Sequence, residues 1–180
     1  MLEFKVTGLG IDTRTDQPLV ILNSLTEDDL ILPIWIGRLE AQSIAIALQG
    51  DKPERPLTHD LMLSAIESSD CRLDKVEIHS VFNGTFFAHL YLKRIGSEEE
   101  IILDARPSDC IALALRSQCL IFISESVREQ SCIPAIIRNA TAAETDEQES
   151  ENEKEEFRRF LDNVKASDFK LPPDDAGSKS

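Results

Sequence analysis

Three polar clusters hold the groups able to do chemistry: Gly37-Arg38-Leu39-Glu40, Arg55-Pro56-Leu57-Thr58-His59-Asp60 and Asp104-Ala105-Arg106-Pro107-Ser108-Asp109. Each falls where an extended segment is expected to enter a helix. The free N–H groups and positive dipole end of a helix attract anions, phosphate among them. A neighbouring arginine adds a planar fork that matches phosphate geometry. Carboxylates close by can hold a divalent ion that polarises a phosphodiester and activates water. His59 is the one histidine in the clusters and the natural general acid or base. The same residues also have a plainer use. Thr58, Asp60, Ser108 and Asp109 suit helix caps and first turns, and Arg106 can pair with Asp104 or Asp109. Residue chemistry by itself leaves both uses open.

The elements around the clusters follow from periodicity. Residues 3–9 alternate, and 18–22 and 30–36 are apolar runs, which predicts three strands split by Asn23-Ser24 and Asp28-Asp29. Past Gly37, the residues Ala41, Ile44, Ala45 and Leu48 recur at helical spacing, so a helix is expected over 40–48, ending at Gly50. The second half repeats this order. Strands are expected over 76–81, 85–93 and 100–104, with Asn83-Gly84 turning the first hairpin, and Pro107 opens a helix reaching Arg116. Ile44-Ala45-Ile46-Ala47-Leu48 matches Ile111-Ala112-Leu113-Ala114-Leu115 at an offset of 67 residues, so the body reads as two β-β-β-α units. A helix over 58–68, with apolar Leu61, Leu63, Ala65 and Ile66, joins them. A strand over 120–123 and a helical turn over 124–129 follow. Without a regular βαβ alternation the expected class is α+β, a mixed β-sheet with helices packed on one side. Trp35 is expected in the core, and Arg116 at the negative end of its helix.

Charge limits what the clusters can bind. The chain of 180 residues has 33 Asp+Glu against 19 Lys+Arg, a net charge of -14. Residues 1–140 hold 21 acids and 13 bases, and 141–180 hold 12 acids and 6 bases. The body is therefore acidic in its own right, and no long basic groove for a nucleic-acid backbone is on offer. Any phosphate site must be local. The expected organisation is a domain over 1–138, an acidic disordered linker over 139–156, a short amphipathic helix over 157–170 carrying Phe157, Phe160, Leu161 and Val164, and a disordered tail over 171–180. Hydrophobic residues are 42% of the chain, which excludes a wholly disordered protein, and the short apolar runs exclude a membrane-spanning helix. Met1-Leu2-Glu3-Phe4-Lys5 lacks a secretory pattern, and Cys71, Cys110, Cys119 and Cys132 show no CxxC pair, so reduced thiols and a cytoplasmic location are expected. His59, His79 and His89 form no zinc pattern with those cysteines.

Several blocks arrive in a familiar order: Leu32-Pro33-Ile34-Trp35-Ile36-Gly37 with Glu40-Ala41, then Arg55-Pro56-Leu57-Thr58-His59-Asp60-Leu61, then Asn83-Gly84-Thr85-Phe86-Phe87-Ala88. Last comes Asp104-Ala105-Arg106-Pro107-Ser108-Asp109, running into the second apolar stripe and Arg116. Over residues 1–135 the chain resembles the bifunctional nuclease (DNase/RNase) domain family of bacteria. Phe157-Arg158-Arg159-Phe160-Leu161-Asp162-Asn163 is similar to an extension found in many members. Two departures stand out: Arg38-Leu39 replaces the usual Pro-Ala, and Cys110 replaces a usual Ala.

The resemblance implies an α+β domain that self-associates and cleaves DNA and RNA. Self-association is tested by light scattering, where a monomeric mass across micromolar concentrations would count against it. Carried onto this sequence, the implied site residues are Glu40, Arg55, His59, Asp60, Asp104, Arg106, Ser108 and Asp109. Combined with the residue chemistry, the expectation is a metal-assisted nuclease. His59, Asp60 and Glu40 are catalytic, Arg38, Arg55, Arg106 and Ser108 bind phosphate, and Asp104 and Asp109 hold Mg2+ or Mn2+. The competing expectation is a non-catalytic oligomeric module that binds a small anionic ligand or a protein partner. Convergence of the clusters on one open pocket favours the enzyme, and scatter favours the module.

Overall fold

The computed structural model describes residues 1–27, 29–51 and 53–135. The linker, amphipathic helix and tail expected over 139–180 lie outside the described residues. The chain runs β1 (Leu2–Asp12), β2 (Gln17–Ser24), β3 (Leu30–Trp35), α1 (Arg38–Gln49), α2 (Thr58–Ser68), β4 (Cys71–Phe82) and β5 (Thr85–Arg94). It continues through β6 (Glu100–Ala105), α3 (Pro107–Ser117), β7 (Leu120–Ile123), α4 (Glu125–Ser131) and β8 (Ile133–Pro134). This is the expected α+β class, and three strands followed by a helix occur twice, with α2 between them. The strands β1 and β4 are longer than their alternating patterns. β8 spans two residues, too short for periodicity to signal.

All strands join one sheet in the order β6-β5-β4-β7-β1-β2-β3-β8. The two antiparallel meanders lie on either side of β7, which pairs parallel to β4 and antiparallel to β1. Asn83 and Gly84, with φ of 49° and 76°, supply the two left-handed positions of the β4–β5 turn. Gly50, at φ 71°, ends α1 in the same region.

One face of the sheet packs against α1, α2 and α3. Val76 and Ile78 on β4 face Leu90 and Ala88 on β5, and all four are buried with Val20 and Leu22 of β2. Ile44 of α1 and Ile111 and Leu113 of α3 are fully buried against them. The alanines of the repeated stripe let α1 and α3 approach closely, and Ala45, Ala112 and Ala114 are buried. Each such Leu or Ile contributes about 1.5–3 kcal/mol through removal from water.

Alternation sends Glu77, His89 and Tyr91 to the opposite face. There the Tyr91 hydroxyl donates to Glu77 at 2.6 Å, and this bond to a carboxylate pushes the phenol up to about 12. Trp35 corrects an expectation. It is 48% exposed near the sheet edge, and its indole N–H donates to Asp12 at 3.0 Å. Alternation along β3 turns Leu32 and Ile34 into the core and Trp35 to the other face. No helix among the described residues is long and apolar enough to cross a membrane.

Candidate active site

The N-termini of α1, α2 and α3 gather at one end of the helical layer and border an open groove of 1160 Å³. Its polar lining includes Glu40, Ser43, His59, Asp104, Arg106 and Asp109, and Phe86, Phe87 and Leu103 supply an apolar floor. Local rules explain each placement. Gly37 precedes α1 in an extended conformation, and a Cβ there would collide with the Glu40 carboxylate. Pro107 sets the first turn of α3 and leaves Arg106 as its extended cap. Glu40 and Asp109 each occupy the third position of their helix, where the dipole favours an acid.

Arg106 bridges the two repeated helices. Its Nε and Nη2 donate to the two oxygens of Asp109 at 2.8 and 3.2 Å, and its Nη1 donates to Glu40 at 2.8 Å. The Arg106 side chain is still 65% exposed. His59 ties the third helix in. Its Nε2 lies 3.2 Å from Asp109 Oδ1, and its Nδ1 lies 2.8 Å from the Ser43 hydroxyl. With Nε2–H donating to Asp109, Nδ1 accepts from Ser43 and the imidazole is held in one tautomer. Burial pushes the Asp109 carboxyl up, but the hydrogen bonds from Arg106 and His59 outweigh it and hold the group below the usual carboxylate range.

The lowered value has a consequence for acid stability. A carboxylate with a depressed folded value stabilises the fold above its ordinary titration range and loses that contribution as pH falls through the folded value. Between about pH 5 and pH 2 the protein should therefore lose more stability than an Asp109→Asn variant does. Thermal melts across that window check this, and equal slopes for the two proteins would contradict it.

The remaining expected site residues divide. Asp104 borders the groove from β6, but it pairs with His89 in the ladder, so its carboxylate lies on the sheet face opposite the helices. Asp60 is not in the lining: its Oδ1 accepts from Arg116 Nε at 2.9 Å and its Oδ2 accepts from the Leu57 backbone N–H at 2.8 Å. Arg116 reaches farther than its own helix end. Besides Asp60 it donates to Ala112 O at 2.9 Å and to Ser43 O at 3.2 Å. Arg38 pairs with Asp16 at the exposed edge of β1 and β2. Arg55 is exposed outside the lining, and Ser108 is buried in the first turn of α3. Asp104 and Asp109 stand apart in their contacts: Asp109 is held by Arg106 and His59, and Asp104 lies beside His79 and His89. Ser43 escaped the sequence reading, although it follows Glu40 by three residues and so shares its helix face. The four cysteines are free, and burial pushes Cys110 up to about 12 and Cys132 up to about 11, away from thiolate chemistry.

A family model for the bifunctional nuclease domain matches residues 20–135. An uncharacterized protein of Mycobacterium tuberculosis (strain ATCC 25618 / H37Rv) is 38% identical over 170 residues, covering 94% of this chain and 99% of that protein. Bifunctional nuclease 1 of Oryza sativa subsp. japonica is 28% identical over 109 residues, which are 60% of this chain and 33% of the plant protein. Bifunctional nuclease 2 of the same plant is 25% identical over 121 residues, 67% of this chain and 37% of its own length. With the family model matching residues 20–135, nearly the whole of the described body, this chain belongs to the bifunctional nuclease domain family.

Proposed function

We propose that the protein hydrolyses phosphodiester bonds of RNA and DNA in the groove at the helix N-termini. The observation that carries this reading is convergence: Glu40, His59, Arg106 and Asp109 come from the starts of three helices and border one open groove, with Asp104 at its rim. In that reading Arg106, exposed and preorganised by Glu40 and Asp109, binds a non-bridging phosphate oxygen and offsets the charge that develops in the transition state. His59 moves a proton to or from the reacting oxygen, and Asp109 fixes its tautomer and stabilises its charged form. Phe87, exposed at the groove, offers a ring on which an unstacked base can rest. A divalent ion bound at Asp104 would polarise the phosphate and activate water.

The acidic body argues for a single-stranded substrate held at a few phosphates rather than a duplex gripped along its length. Asp60 acts in this scheme as a positioning residue, through Arg116 and the α2 cap. The assay is cleavage of labelled single-stranded RNA and DNA with Mg2+ or Mn2+ and with EDTA. Metal-dependent cleavage supports the reading, and intact substrate under all conditions overturns it. One feature favours the competing module: Arg106 already has carboxylate partners on two sides, so an incoming anion must displace one of them. A self-associated state is part of both readings and is supported by β6, an edge strand that exposes Ile102 and Leu103.

A further inference from the structure

Behind the groove wall, β4, β5 and β6 bring together three side chains that the proposed hydrolysis leaves without a stated role as a group. His89 pairs directly with Asp104 across β5 and β6, and with Glu77 across β4 and β5. The β4–β5 register shifts between Ile78 and Ser80, so His79 is the extra residue of a bulge. That extra residue turns the His79 ring onto the face that carries His89, and the two imidazoles stack with centroids 4.0 Å apart and planes 18° from parallel. One ligating atom from each of His79, His89 and Asp104 lies within 4.8 Å of the other two.

We infer that His79, His89 and Asp104 form a binding site for a divalent transition ion of the zinc class, with the ion held by two imidazole nitrogens and one carboxylate oxygen. Three observations point there. First, Nε2 of His79 is buried and has no hydrogen-bond partner among the described residues. An unmet buried polar atom is destabilising, and a bound ion would give it a partner. Second, the donor set is two nitrogens and an oxygen, the borderline mixture that suits Zn2+, Co2+ or Ni2+, whereas Mg2+ prefers an all-oxygen shell. Third, the donors are close enough. Bonds of about 2.0–2.1 Å in a tetrahedral shell place donors roughly 3.3 Å apart, so small side-chain rotations close the site.

The site joins three adjacent strands, including the edge strand β6, and Asp104 stands two residues before Arg106. Ion binding would therefore pin the strand that leads into the groove. The site shares Asp104 with the nuclease reading, but a hydrolytic role is not needed for it to exist, and it is tested without substrate.

The experiment uses tag-free, metal-stripped full chain titrated with ZnCl2, CoCl2 and MgCl2 by calorimetry, with the visible absorption of bound Co2+ recorded. One Zn2+ or Co2+ per chain is expected, with Mg2+ far weaker. Bound Co2+ should show ligand-field bands without thiolate charge transfer, and the melting temperature should rise with Zn2+. His89→Gln should weaken Zn2+ binding more than about 100-fold. Asp104→Asn, at an exposed position where the fold should tolerate the change, should weaken it at least about tenfold. Absence of stoichiometric binding, binding undiminished in either variant, or thiolate charge transfer that places the ion on cysteines would each overturn the assignment. Intact Zn2+ binding by an unaltered protein that cleaves neither RNA nor DNA would count against the groove reading alone.

Discussion

Replacing His59 with alanine is expected to lower kcat for RNA or DNA cleavage by about 10²- to 10⁴-fold, the usual contribution of a positioned general acid or base. The imidazole is the histidine ring of the groove among the described residues, held by Asp109 at 3.2 Å and by Ser43 at 2.8 Å. Losing it leaves Arg106 still held by Glu40 and Asp109, so substrate binding should change less than turnover. Arg106→Ala should show the complementary pattern. It removes the exposed cation of the lining, so kcat/KM should fall about 10²-fold with a large part of the loss in KM. The two variants are read in one assay, alongside melting curves that confirm folding. Undiminished cleavage in His59→Ala, with the same metal response as the parent, would move the chemistry elsewhere.

The second large effect is on stability. Arg116→Ala should destabilise the fold by about 2–4 kcal/mol, measured by urea unfolding. The Arg116 side chain is 8% exposed and links all three helices of the groove: it donates to Asp60 on α2, to Ser43 O on α1 and to Ala112 O on its own helix. Removing it strips the Ser43 and Ala112 carbonyls of a side-chain donor and leaves Asp60 with a charge and only its cap contact. Asp60 is 31% exposed, so water recovers part of the loss, which sets the effect below that of a wholly buried pair. Asp60→Asn should cost about 1 kcal/mol, because an amide oxygen still accepts from the Leu57 N–H. A loss below about 0.5 kcal/mol for Arg116→Ala would show that water substitutes fully and that the three helices are held by apolar packing alone.

These two residues also mark how far the sequence can be read. Asp60 and Asp109 look alike along the chain: each lies in the first turn of a helix and each has an arginine nearby. Only packing separates them. The crossing of α1, α2 and α3 turns Asp109 to the groove and Asp60 to Arg116, 56 residues away. Arg38 and Arg55 likewise carry the right charge, yet Arg38 turns to Asp16 and Arg55 stays outside the lining. Ser43 was within reach, one turn after Glu40, but nothing local says which face of α1 meets His59.

The histidines on the sheet show the same division more sharply. A regular hairpin counted from Asn83-Gly84 pairs residue 79 with 88 and 78 with 89, which puts His79 and His89 on opposite faces. The bulge at His79 slips the register by one and brings them together. A bulge is settled by what both strands must bury. Val76 and Ile78 go under the helices together with Ala88 and Leu90, and the surplus residue is pushed out of the ladder.

The α+β class, the two runs of three strands and a helix, the helix starts and the acidic balance are all legible along the chain, because periodicity, caps and turns act over a few residues. The three clusters at those starts were legible for the same reason. Tertiary structure alone decided which of their charges share a groove, which brace the helices, and that His79, His89 and Asp104 meet. Those outcomes depend on strand register and helix crossing, which are set by burial between segments far apart in the chain.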